Sequence, residues 1–203
     1  QKAAEERQQF VKAAAEALSK HALSLMEYLI RSGKRTEEQM EDLRQEILKR
    51  QWSLPFDTTR RMVMYGTIQE LATFMFYRKH KGFAEEENDP ALASLYHIIS
   101  KDEMAHHNFY KDVVKVLMEE DRSGSIADLA HVFKNFRMPA DDLVPGYDER
   151  VLKMRETGVA ANVFFNEVWL PIIKQLGVSR KELRDADKRN GLAERDILSP
   201  ARH

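Results

Sequence analysis

The sequence predicts an all-α helical bundle. Three observations carry this. Apolar residues recur at three- and four-residue spacing over stretches far longer than a strand. Helix start and stop signals bracket those stretches. Glycine and proline are sparse, at eight and six of 203 residues, and no segment alternates apolar and polar residues as a half-buried strand does. A chain of this length builds one good-sized core, so one domain over residues 1–203 is expected, with additional C-terminal helices and a polar tail at 190–203.

The elements follow in order. A first helix is expected over about 3–31, its inward stripe being Phe10, Ala14, Ala17 or Leu18, His21, Leu25 and Tyr28. Ser32-Gly33 ends it. Thr36-Glu37-Glu38-Gln39 reads as a capping box opening a helix to about residue 50. Residues 51–57, with Pro55, form a connection. A long helix covers about 58–83. Asn88-Asp89-Pro90 opens the next, with Asp89 as N-cap and Pro90 at the first helical position, and it runs to about 119. Asp121 to Gly124 is expected to turn, with Ser125 capping a helix that reaches 136. Met138-Pro139 and Pro145-Gly146 bracket an irregular crossover. Further helices are expected over roughly 148–156, 160–176 and 180–188, with Pro171 kinking or splitting the second.

Composition excludes several functions. The formal net charge is −1, so no global field favours nucleic acid or an anionic membrane. Without cysteine there is no disulfide, thiolate metal site, iron–sulfur ligation or cysteine nucleophile. No signal peptide and no apolar run near 18 residues is found, so membrane insertion is not expected. The chain starts at Gln1, and its N-terminal segment is expected to be incomplete.

The most informative residues are Asp102-Glu103-Met104-Ala105-His106. Glu103 and His106 share a helix face, on a stripe of Ile99, Glu103, His106, Tyr110, Val113 and Leu117. Burying charge in an apolar seam costs several kcal/mol unless something compensates, and a metal ion is a strong candidate. Inward Glu-x-x-His is a di-iron bundle signature. The preceding long helix repeats the anomaly, with Glu70 on the stripe Val63, Gly66, Glu70, Thr73 and Tyr77. Two antiparallel helices joined by a short turn bring Glu70 and Glu103 to one level, and Gly66 admits a close neighbour. His21 lies on the first helix's stripe. Glu70, Glu103, His106 and His21 are thus four candidate ligands, of types that suit iron or manganese. Asp102, rotated about 100° from Glu103, is placed to accept from a ligand histidine's other N–H. His107 is expected to face outward or lie behind the ligands. The basic clusters Arg60-Arg61 and Arg78-Lys79-His80-Lys81 are solvated faces or a dock for an acidic partner.

Several of these runs resemble the soluble acyl-carrier-protein desaturases, which are ferritin-like di-iron enzymes. They are Gln69-Glu70-Leu71-Ala72-Thr73-Phe74, Ile99-Ser100-Lys101-Asp102-Glu103-Met104-Ala105-His106 with Tyr110, the stretch from His21 to Gly33, and Arg137-Met138-Pro139-Ala140. The resemblance implies that Glu70, Glu103, His106 and His21 bind iron. It implies that Thr73 lies near the oxygen-binding side and that Asp102 bonds a ligand histidine on an electron route. It further implies a centre of two iron ions, O₂ and ferredoxin as co-reactants, and a cis double bond placed in an acyl chain carried by acyl carrier protein. A homodimer in the cytoplasm, or in the plastid stroma for a plant protein, goes with it.

One departure lies within the matched region. The family's first motif has a ligand Glu three residues before the histidine, where this chain has Leu18 in Leu18-Ser19-Lys20-His21. Glu16 sits roughly 140° around the helix from His21 and is a poor substitute. Glu5 and Glu6 do not fit the family's earlier Glu-bearing helix. With that site degraded, one iron or none would bind. Two alternatives therefore stand beside the desaturase: a homologue acting as a non-catalytic binding protein, and another di-iron oxygenase, hydroxylating or N-oxygenating a carrier-bound substrate.

Overall fold

The structure is a computed structural model that describes residues 20–189 apart from 52, 54, 157, 159 and 160. The expectations for Phe10, Ala14, Ala17, Glu5, Glu6, Glu16, Leu18 and the polar tail lie outside the described residues. Those that are described form an all-α bundle with no strand among them. No described helix is long and apolar enough to cross a membrane.

Helix α1 occupies residues 20–31. The Thr36 capping box forms as expected: its hydroxyl accepts from the Gln39 amide, the Gln39 side chain accepts from the Thr36 amide, and α2 runs Glu37–Leu48. Then come the two longest helices, α3 at Thr59–Glu86 and α4 at Pro90–Glu120. The link between them is short because its residues serve both helices. Asn88 takes a left-handed φ of 57°, which asparagine tolerates better than most residues. The Asn88 and Asp89 amides then bond back to Glu85 and Ala84, closing α3. Asp89 also accepts from the Leu92 amide, opening α4. The result is a tight antiparallel pair that packs along most of its length.

Helix α5 spans Arg122–Asn135 and differs from expectation at its start. There is no separate turn at 121–124, and Ser125 is not the cap. Asp121 caps the helix by accepting from the Gly124 amide, so α5 follows α4 almost without a break. Ser125 instead donates to the Leu117 carbonyl of α4. A short helix α6 (Ala140–Leu143) lies within the crossover, and α7 is Tyr147–Glu156. The next helical stretch is α8 (Ala161–Phe164), a π turn over Phe165–Trp169 and α9 (Leu170–Gln175). Proline therefore splits this stretch by a change of pitch: Pro171 has no N–H to bond back, and the turn before it widens to i→i+5. Helix α10 is Arg180–Arg189.

The core joins the lower faces of α3 and α4 to α5, the π turn, α9 and α10. Met64, Ile68, Val114, Leu129, Phe133, Trp169, Ile172 and Leu183 are almost fully enclosed, with the Phe133 and Trp169 rings stacked at 4.8 Å. Asp128 of α5 holds both Arg60 and Arg61, and Asp121 and Asp57 add further pairs. The Arg60-Arg61 cluster is thus committed to the fold rather than free for a partner.

The buried line of α4 is shifted from the expected one. It passes through Ile99, Glu103, His107, Val114 and Met118, while Tyr110, Val113 and Leu117 are half-buried on its flank. His107 is fully enclosed, which corrects the outward one of its two expected positions. Its Nδ1 is 2.8 Å from the Thr67 carbonyl and its Nε2 2.9 Å from the Gln175 side chain. The carbonyl only accepts, so Nδ1 carries the proton, and the ring ties α4 to α3 and α9. Gly66 does admit a close neighbour: a Cβ there would lie 3.2 Å from the Tyr110 ring. Gly66→Val should therefore separate α3 from α4 and destabilise the fold by about 1–3 kcal/mol. A denaturant midpoint that does not move would show that the ring yields freely.

Candidate metal centre

The centre forms where α1, α3 and α4 meet. Helix pitch places Glu103 and His106 on one side of α4, and the Asn88–Asp89 link sets the level at which α3 presents Glu70. One ligand atom from each of Glu70, Glu103 and His106 falls within 4.8 Å of the others. Glu70 and Glu103 are buried, and the His106 side chain is 30% exposed. His106 Nδ1 is 3.3 Å from Glu70 Oε2 and 3.7 Å from Glu103 Oε2. His21 arrives from α1 on the opposite side of Glu103, with Nδ1 3.4 Å from Glu103 Oε1. The two imidazole rings are 6.4 Å apart. All four residues singled out as ligand candidates are therefore brought together.

Asp102 lies behind His21, with Oδ2 3.1 Å from His21 Nε2. Taking up Nε2 in this way leaves Nδ1 facing the cluster, the arrangement that orients a metal-binding histidine. Thr73 stands one turn beyond Glu70, half-buried, and its hydroxyl donates to the Gln69 carbonyl at 2.8 Å. It makes the back-bond common for helical threonine and does not touch the carboxylates in this conformation. Tyr77 is half-buried a further turn along. Burial, with the Glu103 charge adding to it, pushes its phenol up to about 12.

The electrostatics of the cluster are those of charges awaiting compensation. Burial raises the Glu103 carboxyl to about 7, and the Glu70 carboxylate beside it adds to the rise. Burial also acts to raise Glu70, but the His106 and Glu103 contacts outweigh it, and Glu70 is lowered overall. The adjoining Glu103 and Glu70 carboxyls lift His106 to about 10. Among the described side-chain atoms buried without a hydrogen bond, two belong to the cluster: His21 Nδ1 and Glu70 Oε2, the latter because His106 lies off the hydrogen-bond line. Orphaned buried atoms are uncommon in folded proteins, and here they are nitrogen and oxygen donors of the kind iron takes. The donor set fits a divalent iron ion.

Sequence reasoning missed the buried role of His107 and its Gln175 partner. A signal was present, since His107 is four residues after Glu103 and seven before Val114, on the same apolar line.

An antiparallel helix pair that encloses carboxylates and histidines in this way defines a ferritin-like carboxylate bundle. The comparisons narrow the class. The fatty acid desaturase family model matches residues 9–195, and the chain belongs to that family. It is 25% identical over 173 residues to a Mycobacterium tuberculosis protein named as an acyl-(acyl-carrier-protein) desaturase, DesA1, covering 81% of this chain and 50% of that one. It is 34% identical over 86 residues to the stearoyl-(acyl-carrier-protein) 9-desaturase 6, chloroplastic, of Arabidopsis thaliana, covering 42% and 22%. The corresponding olive enzyme is 33% identical over 91 residues, covering 44% and 23%. The chain thus spans about half the length of the mycobacterial relative and under a quarter of the plant ones.

The raised His106 gives a pH dependence with a definite sign. A group whose folded value lies above its ordinary 6.5 contributes stability that is complete below 6.5 and is lost as pH rises toward about 10. Glu103, raised from 4.5 to about 7, loses its contribution over a lower range in the same direction. Metal-stripped protein should therefore melt at a lower temperature at pH 9.5 than at pH 6.5, and His106→Gln should flatten the upper part of that slope. Melting that rises across this range would contradict the assignment.

Proposed function

We propose that this chain carries the iron-binding core of an acyl-acyl-carrier-protein desaturase. The observation that carries the reading is the buried Glu70, Glu103 and His106 cluster, with His21 and its unpartnered Nδ1 beside it, in a member of the fatty acid desaturase family. Glu70, Glu103, His106 and His21 would hold two iron ions, with electrons from ferredoxin and with O₂ as oxidant. Bound iron would supply the oxygen activation needed to take hydrogen from an unactivated methylene, which no side chain achieves alone.

The chain's own residues have narrower tasks. Asp102 holds the His21 proton at Nε2 and fixes the ring's direction. Thr73 keeps its hydroxyl proton at the Gln69 carbonyl, one turn beyond Glu70, and the resemblance would put it near the oxygen-binding side. The seam of α3 and α4 buries Glu70 and Glu103 and would give an acyl chain an apolar wall. The names of the relatives support acyl carrier protein as partner. Arg78 supports it too. Its guanidinium lies over the Phe74 ring, beside a cavity of about 260 Å³ lined by Phe74, Met75, Arg78, Lys79 and Glu167. Lys79 pairs there with Glu167, and Lys81 pairs with Glu85. The reading also includes a homodimer.

Leu18 favours a second reading, a homologue that binds carrier protein without catalysis. Product analysis decides. Iron-loaded protein with reduced ferredoxin, O₂ and saturated acyl-acyl-carrier protein should yield a cis-alkenyl chain, and Glu103→Ala should bring the yield to background. An alcohol product would make it a hydroxylase instead. No product at full iron content would favour the non-catalytic reading. Arg78→Glu should weaken binding of acidic carrier protein and flatten its loss with salt, measured by calorimetry at two ionic strengths. Unchanged affinity would move the dock elsewhere.

A further inference from the structure

The carboxylate of Glu103 divides the centre into two unlike halves. Its Oε2 faces His106, and Glu70 completes that side with Oε2 3.3 Å from His106 Nδ1. Its Oε1 faces His21 Nδ1 at 3.4 Å, and the three-residue cluster does not extend to a further histidine or carboxylate on that side among the described residues. Among the described residues the first half therefore has three donors from three side chains, and the second has two. The family's motif would place another carboxylate three residues before His21 in the sequence, and that position is Leu18.

Distances bear on whether each half can hold an ion. Bonds of about 2.0–2.2 Å, as a divalent ion such as zinc makes to nitrogen and oxygen donors, put neighbouring donors roughly 3–3.5 Å apart. The gaps at His106, 3.3 and 3.7 Å, need only a small contraction, and the gap at His21 needs almost none. Charge then orders the two. An ion held by Glu70 and Glu103 has two carboxylates on it. A second ion would have only the shared Glu103 carboxylate and would feel the repulsion of the first.

We propose that the two halves load unequally: one divalent iron or manganese ion binds at Glu70, Glu103 and His106, and a second binds more weakly between Glu103 and His21. The inference rests on the metal-binding part of the reading above and not on desaturation. Disturbing the groups that merely orient a ligand costs about 10–100-fold in metal affinity, so a half lacking a whole donor should bind at least about tenfold less tightly. Asp102 is then the positioning residue of the weak half alone, because it holds His21 by Nε2 and lies outside the three-donor cluster.

The test is a manganese(II) titration of the metal-stripped 203-residue chain, followed by calorimetry and electron paramagnetic resonance. The expected result is a tight first step that gives the six-line spectrum of an isolated ion. A second step follows, weaker by at least about tenfold, in which that spectrum broadens through coupling. His21→Ala should remove the second step and leave the first. Asp102→Asn, a near-isosteric change at a half-exposed carboxylate, should weaken only the second, and circular dichroism checks that both variants fold. Two ions entering in one step with no isolated-ion spectrum would overturn the inequality, as would a first step weakened by His21→Ala. Either outcome leaves the desaturase reading standing. Absence of any binding would overturn both.

Discussion

The structure depends on one constraint. Two carboxyls and an imidazole meet inside the seam between α3 and α4, and they must be compensated there. Left alone they compensate one another only in part. Glu103 is raised to about 7, His106 is raised to about 10, and His21 Nδ1 and Glu70 Oε2 have no hydrogen bond. A fold that served stability alone would place leucine at such positions, since apolar replacements of buried ion pairs are often neutral or better. The cluster therefore reads as a device retained for binding, and the rest of the molecule keeps it in register.

Register comes from both ends of the helix pair. At the top, the two residues Asn88 and Asp89 end one helix and begin the next, which fixes Glu70 opposite Glu103. Below the cluster, His107 reaches the Thr67 carbonyl and Gln175, and Tyr110 lies in the space that Gly66 leaves. Farther down, the Arg60, Arg61 and Asp128 network and the stack of Phe133 on Trp169 clamp α5 and the π turn against the pair. Sliding one helix along the other would break several of these contacts at once. The cluster can thus keep its register in a seam that also holds adaptable side chains such as Met64, Met75 and Met118.

Much of this was legible in the sequence because its signals are local. The Thr36 capping box, the Asp89-Pro90 start and the Gly66 gap each state their geometry within a few residues, and each formed as written. The convergence of Glu70, Glu103, His106 and His21 was also legible, since helical periodicity puts polar groups on an otherwise apolar face. What escaped depends on packing between distant segments. Asp121 displaced Ser125 as the cap of α5 because Ser125 found the Leu117 carbonyl on the neighbouring helix. His107 went inward because Thr67 and Gln175, 40 and 68 residues away, offered it partners. The pitch change before Pro171 follows from proline chemistry, but its form as a π turn was set by the core around Val168 and Trp169.

On the proposed reading the seam between α3 and α4 is a metal centre. Anomalous diffraction from crystals of the iron-loaded chain, collected on either side of the iron absorption edge, tests it most directly. A strong iron peak is expected within bonding distance of Glu70, Glu103 and His106 side-chain atoms, with any weaker second peak on the His21 side of Glu103. Iron peaks only elsewhere on the molecule, or none in this seam after saturating load, would contradict it.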